Sequence, residues 1–518
     1  MAYDRRSLTE GFLFTDQYQL TMAQVYWKQG LHERPALFDY FFRRYPDYGR
    51  HQAGYAVTAG LGWLLDWIEA TRVTDDDLAL LRSQTDVTGS PRFDEGFLAW
   101  LKEAGDFTSV SIRAVPEGRV VHAHAPIAVV EGPLAVTQIL ETSLLNHLNY
   151  QTLVATKASR VTEAAHGSPV LEFGMRRGPD VGANAGGRAA LIGGANATSN
   201  VGIAHYLDGE AAGTHAHSLV QLFMAIGEGE IGAFRAYAEV YPDETVLLVD
   251  TIDTMESGVP NAITVFHELR RAGHEPVGIR LDSGDLAHLA VRSAAMLDEA
   301  GFPEPRIVLS SELDELAMWQ IRAQISEEAP RYDVDAEAVL ARLVYGVGTR
   351  LITSHGYSAL DGVYKLVAID TDEEWTPAIK ISDTPEKMPI PGGKRVWRVY
   401  DSRGLATADV VSALDEDLTT VGEIDLYHPH REGVVRRLTD IASAEELLVP
   451  AYDDGRRLEG SPDLDALRAW RTADLARLDP GVRRLVNPHV YHVSLTAKVK
   501  ELQRGLVAQA RAGNPLGE

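Results

Sequence analysis

Short apolar runs alternate with amphipathic stretches through the middle of this chain. Val170-Leu171-Glu172-Phe173-Gly174, Val246-Leu247-Leu248-Val249-Asp250, Val277-Gly278-Ile279-Arg280-Leu281-Asp282, Ile307-Val308-Leu309-Ser310-Ser311 and Leu343-Val344-Tyr345-Gly346-Val347-Gly348 all end on polar residues or glycine. Runs of this length, mostly separated by helix-like stretches, predict parallel strands in βαβ units. The spacing predicts a helix over 260–271, with Pro260 in its first turn and Gly273 beyond its end. A second helix is predicted over 286–300, stopping at Gly301.

The flanks have a different rhythm. Residues 14–27 read as a helix opened by Thr15-Asp16, 119–124 as an alternating strand, and 139–160 as a long helix. After about residue 370 the pattern is irregular, although 462–506 looks helical in places and is expected to pack back on the body. No short repeat or extended low-complexity segment interrupts the chain. The expected organisation is an N-terminal α+β domain (1–150), an α/β catalytic domain (151–370) and a C-terminal region (371–518).

In parallel α/β folds the functional site lies at the carboxyl ends of the strands. Asp250, Arg280, Asp282, Ser310, Ser311 and Gly348 all stand there and are expected to converge. Taken singly, a strand-end aspartate serves equally well as a helix cap; the series favours a shared pocket. Arg280 and Asp282 face the same side of their strand. The arginine suits a carboxylate or a ring, and the aspartate suits ribose hydroxyls or a magnesium shell; an internal ion pair is the alternative. Gly346-Val347-Gly348-Thr349-Arg350 reads as a phosphate cradle or as a plain tight turn. In Gly213-Thr214-His215-Ala216-His217-Ser218, alternate spacing turns the two histidines to opposite faces if the segment is extended. Joint chelation is then disfavoured, and one functional histidine is expected.

Charge sharpens this picture. Lys plus Arg number 49 against 74 Asp plus Glu, a net charge of -25, which disfavours nucleic acid and anionic membrane as partners. Cations for a phosphorylated ligand must therefore be concentrated locally. Lys380, Lys387, Lys394, Arg395 and Arg398 around Pro391-Gly392-Gly393 form such a basic stretch, read either as a solvated loop or as a phosphate-contacting loop. Hydrophobic residues make up 45%, enough for a sizeable core. Cysteine is absent, which excludes disulfides, thiolate metal sites and cysteine nucleophiles. The first residues lack an apolar signal core, and no apolar run reaches the roughly 20 residues of a membrane span. A soluble cytoplasmic protein is expected.

Taken in order, several segments resemble the nicotinate phosphoribosyltransferase family. They are Thr15-Asp16-Gln17-Tyr18-Gln19-Leu20-Thr21-Met22, Glu172-Phe173-Gly174-Met175-Arg176-Arg177, the Gly213 to Ser218 segment, Arg280-Leu281-Asp282-Ser283-Gly284-Asp285, Tyr345 to Arg350, Gly362-Val363-Tyr364-Lys365-Leu366 and Asn487-Pro488-His489. Each is unspecific alone; their order and combination are specific. The resemblance implies an irregular parallel α/β barrel core. It also implies an ATP-dependent ligase and glycosyltransferase. Nicotinate attacks C1 of 5-phosphoribosyl-1-pyrophosphate, nicotinate mononucleotide forms and pyrophosphate leaves, with magnesium required, in the salvage branch of NAD biosynthesis. ATP hydrolysis is coupled through a phosphohistidine, for which His217 is the match, and Asp250 matches the orienting carboxylate. By the same resemblance Tyr18, Thr214 and Arg280 contact nicotinate and Phe173 flanks its ring. Ser311, Gly348 and Thr349 grip the 5′-phosphate, and Asp282 meets the ribose. Arg44, Arg176 and the 380–395 loop are candidates for pyrophosphate or ATP phosphates, and Asp16 is included among the substrate-binding residues. No residue is assigned directly to the metal. A homodimer with shared sites is implied, because the segment around Tyr18 reaches a neighbouring subunit in the related enzymes.

One departure stands out: Asn196-Ala197 occupies positions where relatives commonly carry Asp and Gly, and no role is assigned to Asn196. The rivals are a nicotinamide-specific enzyme of the same fold, a quinolinate-using one, and a catalytically silent ligand-binding protein. The presence of His217, Asp250, Arg280 and Asp282 together argues against the last.

Overall fold

Each apolar run of the middle segment forms a strand in the computed structural model, which describes residues 7–371, 374–381, 385–458, 460 and 462–513. The strands are β1 (Val170–Glu172), β2 (Ala197–Thr198), β3 (Val246–Leu248), β4 (Gly278–Leu281), β5 (Arg306–Ser310) and β6 (Leu343–Val347). Hydrogen bonds order them β2-β1-β6-β5-β4-β3, every pair parallel. The expected parallel α/β core is present; among the described residues no pairing joins its two end strands, β2 and β3.

The crossover helices follow from their caps and apolar stripes. Val259–Ala272 carries Pro260 in its first turn, buries Val259, Ala262, Val265, Phe266 and Leu269 at helical spacing, and ends at Gly273 with φ 94°. Leu286–Glu299 starts where the Asp285 carboxylate accepts the His288 N–H at 3.2 Å. Asp314 caps Glu315–Glu328 in the same way. These two aspartates are helix caps, whereas Asp250 and Asp282 have other partners.

Residues 154–358 form one compact unit, and the segments on either side of it, up to Leu153 and from Ala359, form the other. The N- and C-terminal regions, expected as separate domains, therefore share a unit. Its seven-stranded sheet places Pro35–Phe42 between Ala128–Pro133 and Gly362–Thr371, antiparallel to both. Every residue of Pro35–Phe42 after the first is buried, including Asp39, which meets Lys394 at 2.5 Å. Burial pushes the Asp39 carboxyl up and the Lys394 ammonium down, while their mutual attraction opposes both shifts. A second sheet of six strands packs Trp397, Val399, Ala408, Val410, Leu418, Leu426 and Leu438 into a core. Helices Leu464–Ala476, Pro480–Arg483 and Ala497–Arg511 lie in the stretch expected to be partly helical.

Several local expectations change. The N-terminal helix runs Gln17–Lys28; Asp16 stands at its N-cap without a side-chain capping bond and instead accepts the Thr142 hydroxyl at 2.8 Å. The long helix is Glu141–Ala164. The strand expected at 119–124 shrinks to Val120–Val121, and the chain turns at His124 with φ 73°. The basic stretch is not one loop: Lys394, Arg395 and Arg398 lie in strand Lys394–Tyr400. Arg395 pairs with Glu446 at 2.6 Å, and the buried Arg398 pairs with Asp409 at 2.9 Å. The exposed Lys380 and Lys387 have no such carboxylate partner among the described residues, and residues 382–384 lie outside these. No helix of the described residues is long and apolar enough to cross a membrane.

Candidate active site

The carboxyl ends of β1, β4, β5 and β6 open into a pocket of about 510 Å³. Phe173, Arg176, Thr214, Arg280, Asp282, Ser311, Gly348 and Thr349 line it, whereas Asp250 of the strand-end series and His217 are not in its lining. Met175, Arg177, Ser199, His215, Ser310 and Glu312 line it as well. All belong to the 154–358 unit. Tyr18, Asp16 and Arg44 belong to the other unit, where Arg44 pairs with Asp361 at 3.2 Å. Tyr18 is 47% exposed, and partial burial with the Glu141 and Asp16 charges pushes its hydroxyl up to about 12.

Arg280 organises one wall. Its Nε donates to Ser310 Oγ at 2.9 Å and its Nη2 to Asp282 Oδ1 at 3.3 Å. Ser310 Oγ lies 2.5 Å from the same carboxylate oxygen, to which it donates. The internal ion pair considered from sequence thus exists, but it does not exhaust a guanidinium with five N–H groups. The guanidinium also lies 5.6 Å from the Phe173 ring centroid. That ring has its place because Gly346 lacks a side chain: a Cβ there would meet Phe173 Cε2 at 2.5 Å. Gly346→Ala is therefore expected to displace the ring, reshape this wall and lower kcat/KM on the order of tenfold to hundredfold. Steady-state kinetics would show it, and unchanged kinetics would remove Phe173 from the binding wall.

Beneath Phe173 lies Glu172, fully buried at the end of β1. It accepts the Thr198 hydroxyl at 2.6 Å and the Gly174 N–H, and burial pushes its carboxyl up. This clamp fixes the turn into the Arg176–Arg177 segment. Ser311 and Glu312 follow β5 with φ of 103° and 49°, a left-handed pair costing roughly 1–3 kcal/mol each. Arg350 holds that turn, bonding Glu312 at 3.0 Å and Asp314 at 2.7 Å.

The two histidines separate by environment. His215 Nε2 accepts the Leu248 N–H at 3.2 Å, and its ring packs 4.9 Å from Tyr237. An Nε2 that accepts belongs to a neutral imidazole, and burial, foremost, holds its pKa below the usual histidine value. A depressed folded pKa gives stability that is complete above about pH 6.5 and is lost as pH falls through the folded value. The urea midpoint of the wild type should therefore fall more steeply between about pH 7 and pH 5 than that of His215→Phe; equal slopes would contradict a neutral His215.

His217 opens helix His217–Ala225 and is 39% exposed. Its Nδ1 stands 3.1 Å from Thr251 Oγ1, and its Nε2 lies 4.0 Å from Asp250 Oδ1 and 3.8 Å from Asp282 Oδ2. The Asp250 side chain is 2% exposed. Its Oδ2 accepts the Asp282 N–H at 3.1 Å and the Ser283 hydroxyl at 2.5 Å, whereas its buried Oδ1 has no hydrogen-bond partner among the described residues. Thr251 went unremarked in the sequence, although it directly follows Asp250. Asn196 acts locally, since its Oδ1 accepts the Val170 N–H at 2.8 Å and extends the pairing at the start of β1. Among the described residues no group of three or more His, Cys, Asp or Glu forms a metal cage.

A polar pocket at the ends of parallel strands, beside a histidine that faces two carboxylates, defines an α/β enzyme of the parallel-sheet kind. Residues 13–149 match the nicotinate phosphoribosyltransferase (NAPRTase) N-terminal domain, and residues 393–503 match the nicotinate phosphoribosyltransferase C-terminal domain. The chain is 39% identical over 486 residues to a nicotinate phosphoribosyltransferase of Bacillus subtilis, covering 93% of this chain and 92% of the relative. It is 33% identical to the Homo sapiens nicotinate phosphoribosyltransferase, covering 96% of each. The crystal structure of human nicotinic acid phosphoribosyltransferase superposes with a TM-score of 0.78 at 30% identity, covering 95% of this chain and 99% of that one. The chain belongs to the nicotinate phosphoribosyltransferase family.

Proposed function

We propose that this protein transfers the phosphoribosyl group of 5-phosphoribosyl-1-pyrophosphate to nicotinate, releasing nicotinate mononucleotide and pyrophosphate, and that ATP hydrolysis drives the transfer through a phosphorylated His217. The observation that carries this reading is the approach of His217 Nε2 to two carboxylates, one of which keeps a buried oxygen without a hydrogen-bond partner among the described residues. With the proton on Nε2, the nitrogen that faces the two carboxylates, the lone pair is left on Nδ1, 3.1 Å from the Thr251 hydroxyl. Nδ1 attacks the terminal phosphorus of ATP, the N–P bond forms as the bridging P–O bond breaks, and ADP leaves. The new phosphoryl group lies at the first turn of a nine-residue helix whose N-cap, Ala216, offers no side-chain acceptor. Free N–H groups there favour an anion.

The substrates follow the walls. Three N–H groups of Arg280 remain for the nicotinate carboxylate, with the Phe173 ring beside it. Ser311, Gly348 and Thr349 take the 5′-phosphate, and Arg176 the pyrophosphate. Magnesium bound mainly by pyrophosphate oxygens needs only one or two carboxylates, and Asp282, 30% exposed in the pocket, is suited to that role. The ion would neutralise the leaving group. Tyr18, exposed in its own unit, is assigned to the site of a second copy in a homodimer.

The test compares turnover of nicotinate and nicotinamide with and without ATP. Nicotinate should be preferred and ATP should stimulate; preference for the amide would overturn the reading.

A further inference from the structure

A second polar pocket, of about 180 Å³, lies beside strands Ala406–Ala413, Val435–Leu438 and Val493–Leu495. Arg403, Arg436, His489 and His492 line it, with Tyr491 at its wall. Asp479 is the one carboxylate in that lining, and its Oδ1 already accepts the Gly481 N–H at 2.7 Å. Arg403 is satisfied by Asp401 at 2.8 Å. Arg436 is not satisfied in this way. It donates to the Thr407 carbonyl at 3.3 Å and has no carboxylate partner among the described residues. In a chain of net charge -25, Arg436 is thus a guanidinium left free of carboxylates among the described residues, beside two histidines at one opening.

We propose that this pocket binds a phosphate-bearing anion, either inorganic phosphate or the phosphate of a small monoester, between Arg436, His489 and His492. A guanidinium forks onto phosphate oxygens, and imidazolium N–H groups add charge-assisted bonds. Desolvation, then the Arg436 and His489 charges, hold His492 below the usual histidine value, a repulsion that a bound anion relieves. Tyr491 gives the wall rigidity: its hydroxyl bonds Asp409 at 3.0 Å, and its ring stacks 3.7 Å from His122. None of these residues lines the pocket of the parallel sheet.

The test is carbethoxylation of the full chain by diethyl pyrocarbonate, read peptide by peptide by mass spectrometry. It compares inorganic phosphate, adenosine 5′-monophosphate, and sodium chloride of matched ionic strength. Either phosphate compound should slow modification of His489 and His492 several-fold, because a bound anion covers both rings, while the exposed His205 keeps its rate. Protection at a lower concentration by the nucleotide assigns the site to a monoester; equal or better protection by inorganic phosphate assigns it to the free ion. Arg436→Gln should abolish the protection, and Arg436→Lys, which keeps the charge, should retain part of it in a chain shown to be folded by circular dichroism. Equal rates in phosphate and chloride, or full protection in Arg436→Gln, would overturn the proposal. The readout is chemical modification, so it stands or falls independently of the catalytic reading.

Discussion

His217→Ala is expected to yield a folded protein that takes no label from terminally labelled ATP and whose nicotinate turnover no longer responds to ATP. A slow ATP-independent reaction should survive, because the pocket walls at Phe173, Arg280 and Thr349 are untouched. The side chain is 39% exposed, and the hydrogen bond it makes is to Thr251. Its removal should therefore cost no more than about 1 kcal/mol of stability, so lost coupling would not reflect unfolding. Acid-labile phosphate persisting on the variant would place the phosphoryl acceptor elsewhere. Thr251→Val gives a finer reading: if the hydroxyl orients Nδ1, the label should form more slowly but still form.

Arg280→Ala is expected to lower kcat/KM for nicotinate by about 10²-fold or more, the value of charge-assisted hydrogen bonds to a carboxylate of about 1.5–3 kcal/mol each. The loss on nicotinamide should be much smaller. The comparison of acid with amide is needed because Arg280 also holds Ser310 and Asp282. If those bonds were its whole contribution, acid and amide would suffer alike, and the carboxylate role would fall.

The parallel core could be read from the sequence because each strand carries its own signal. Val246 to Asp250 is apolar up to the strand's end and polar beyond it, and Pro260 and Gly273 bracket the next helix. Pro35–Phe42 gave no such signal. It is buried along nearly its whole length, so no alternation marks it, and it pairs with a strand more than 300 residues away. Its Asp39 looks like any acidic residue until Lys394 is brought against it. The basic stretch misled for the same reason. Charges in a row look available, but the partners of Arg395 and Arg398, Glu446 and Asp409, become visible only when the sheet forms. In the pocket, residue types at strand ends pointed to Arg280 and Asp282, but not to the clamp of Glu172 on Thr198, which joins two strands through side chains. Two histidines at alternate positions suggested one functional ring; it took the Leu248 amide to show what the other ring does.

That amide belongs to β3, an end strand of the parallel sheet. Val249 turns its N–H inward to Arg280 of β4, so the neighbouring Leu248 N–H points away from β4. Leu248 is 1% exposed, so that N–H needs an acceptor within the protein. His215 supplies one, an aromatic nitrogen in place of a backbone carbonyl, and a proton on that nitrogen removes it. Protonating His215 would therefore leave a buried donor of the end strand without its acceptor, a cost that falls on this one corner of the sheet.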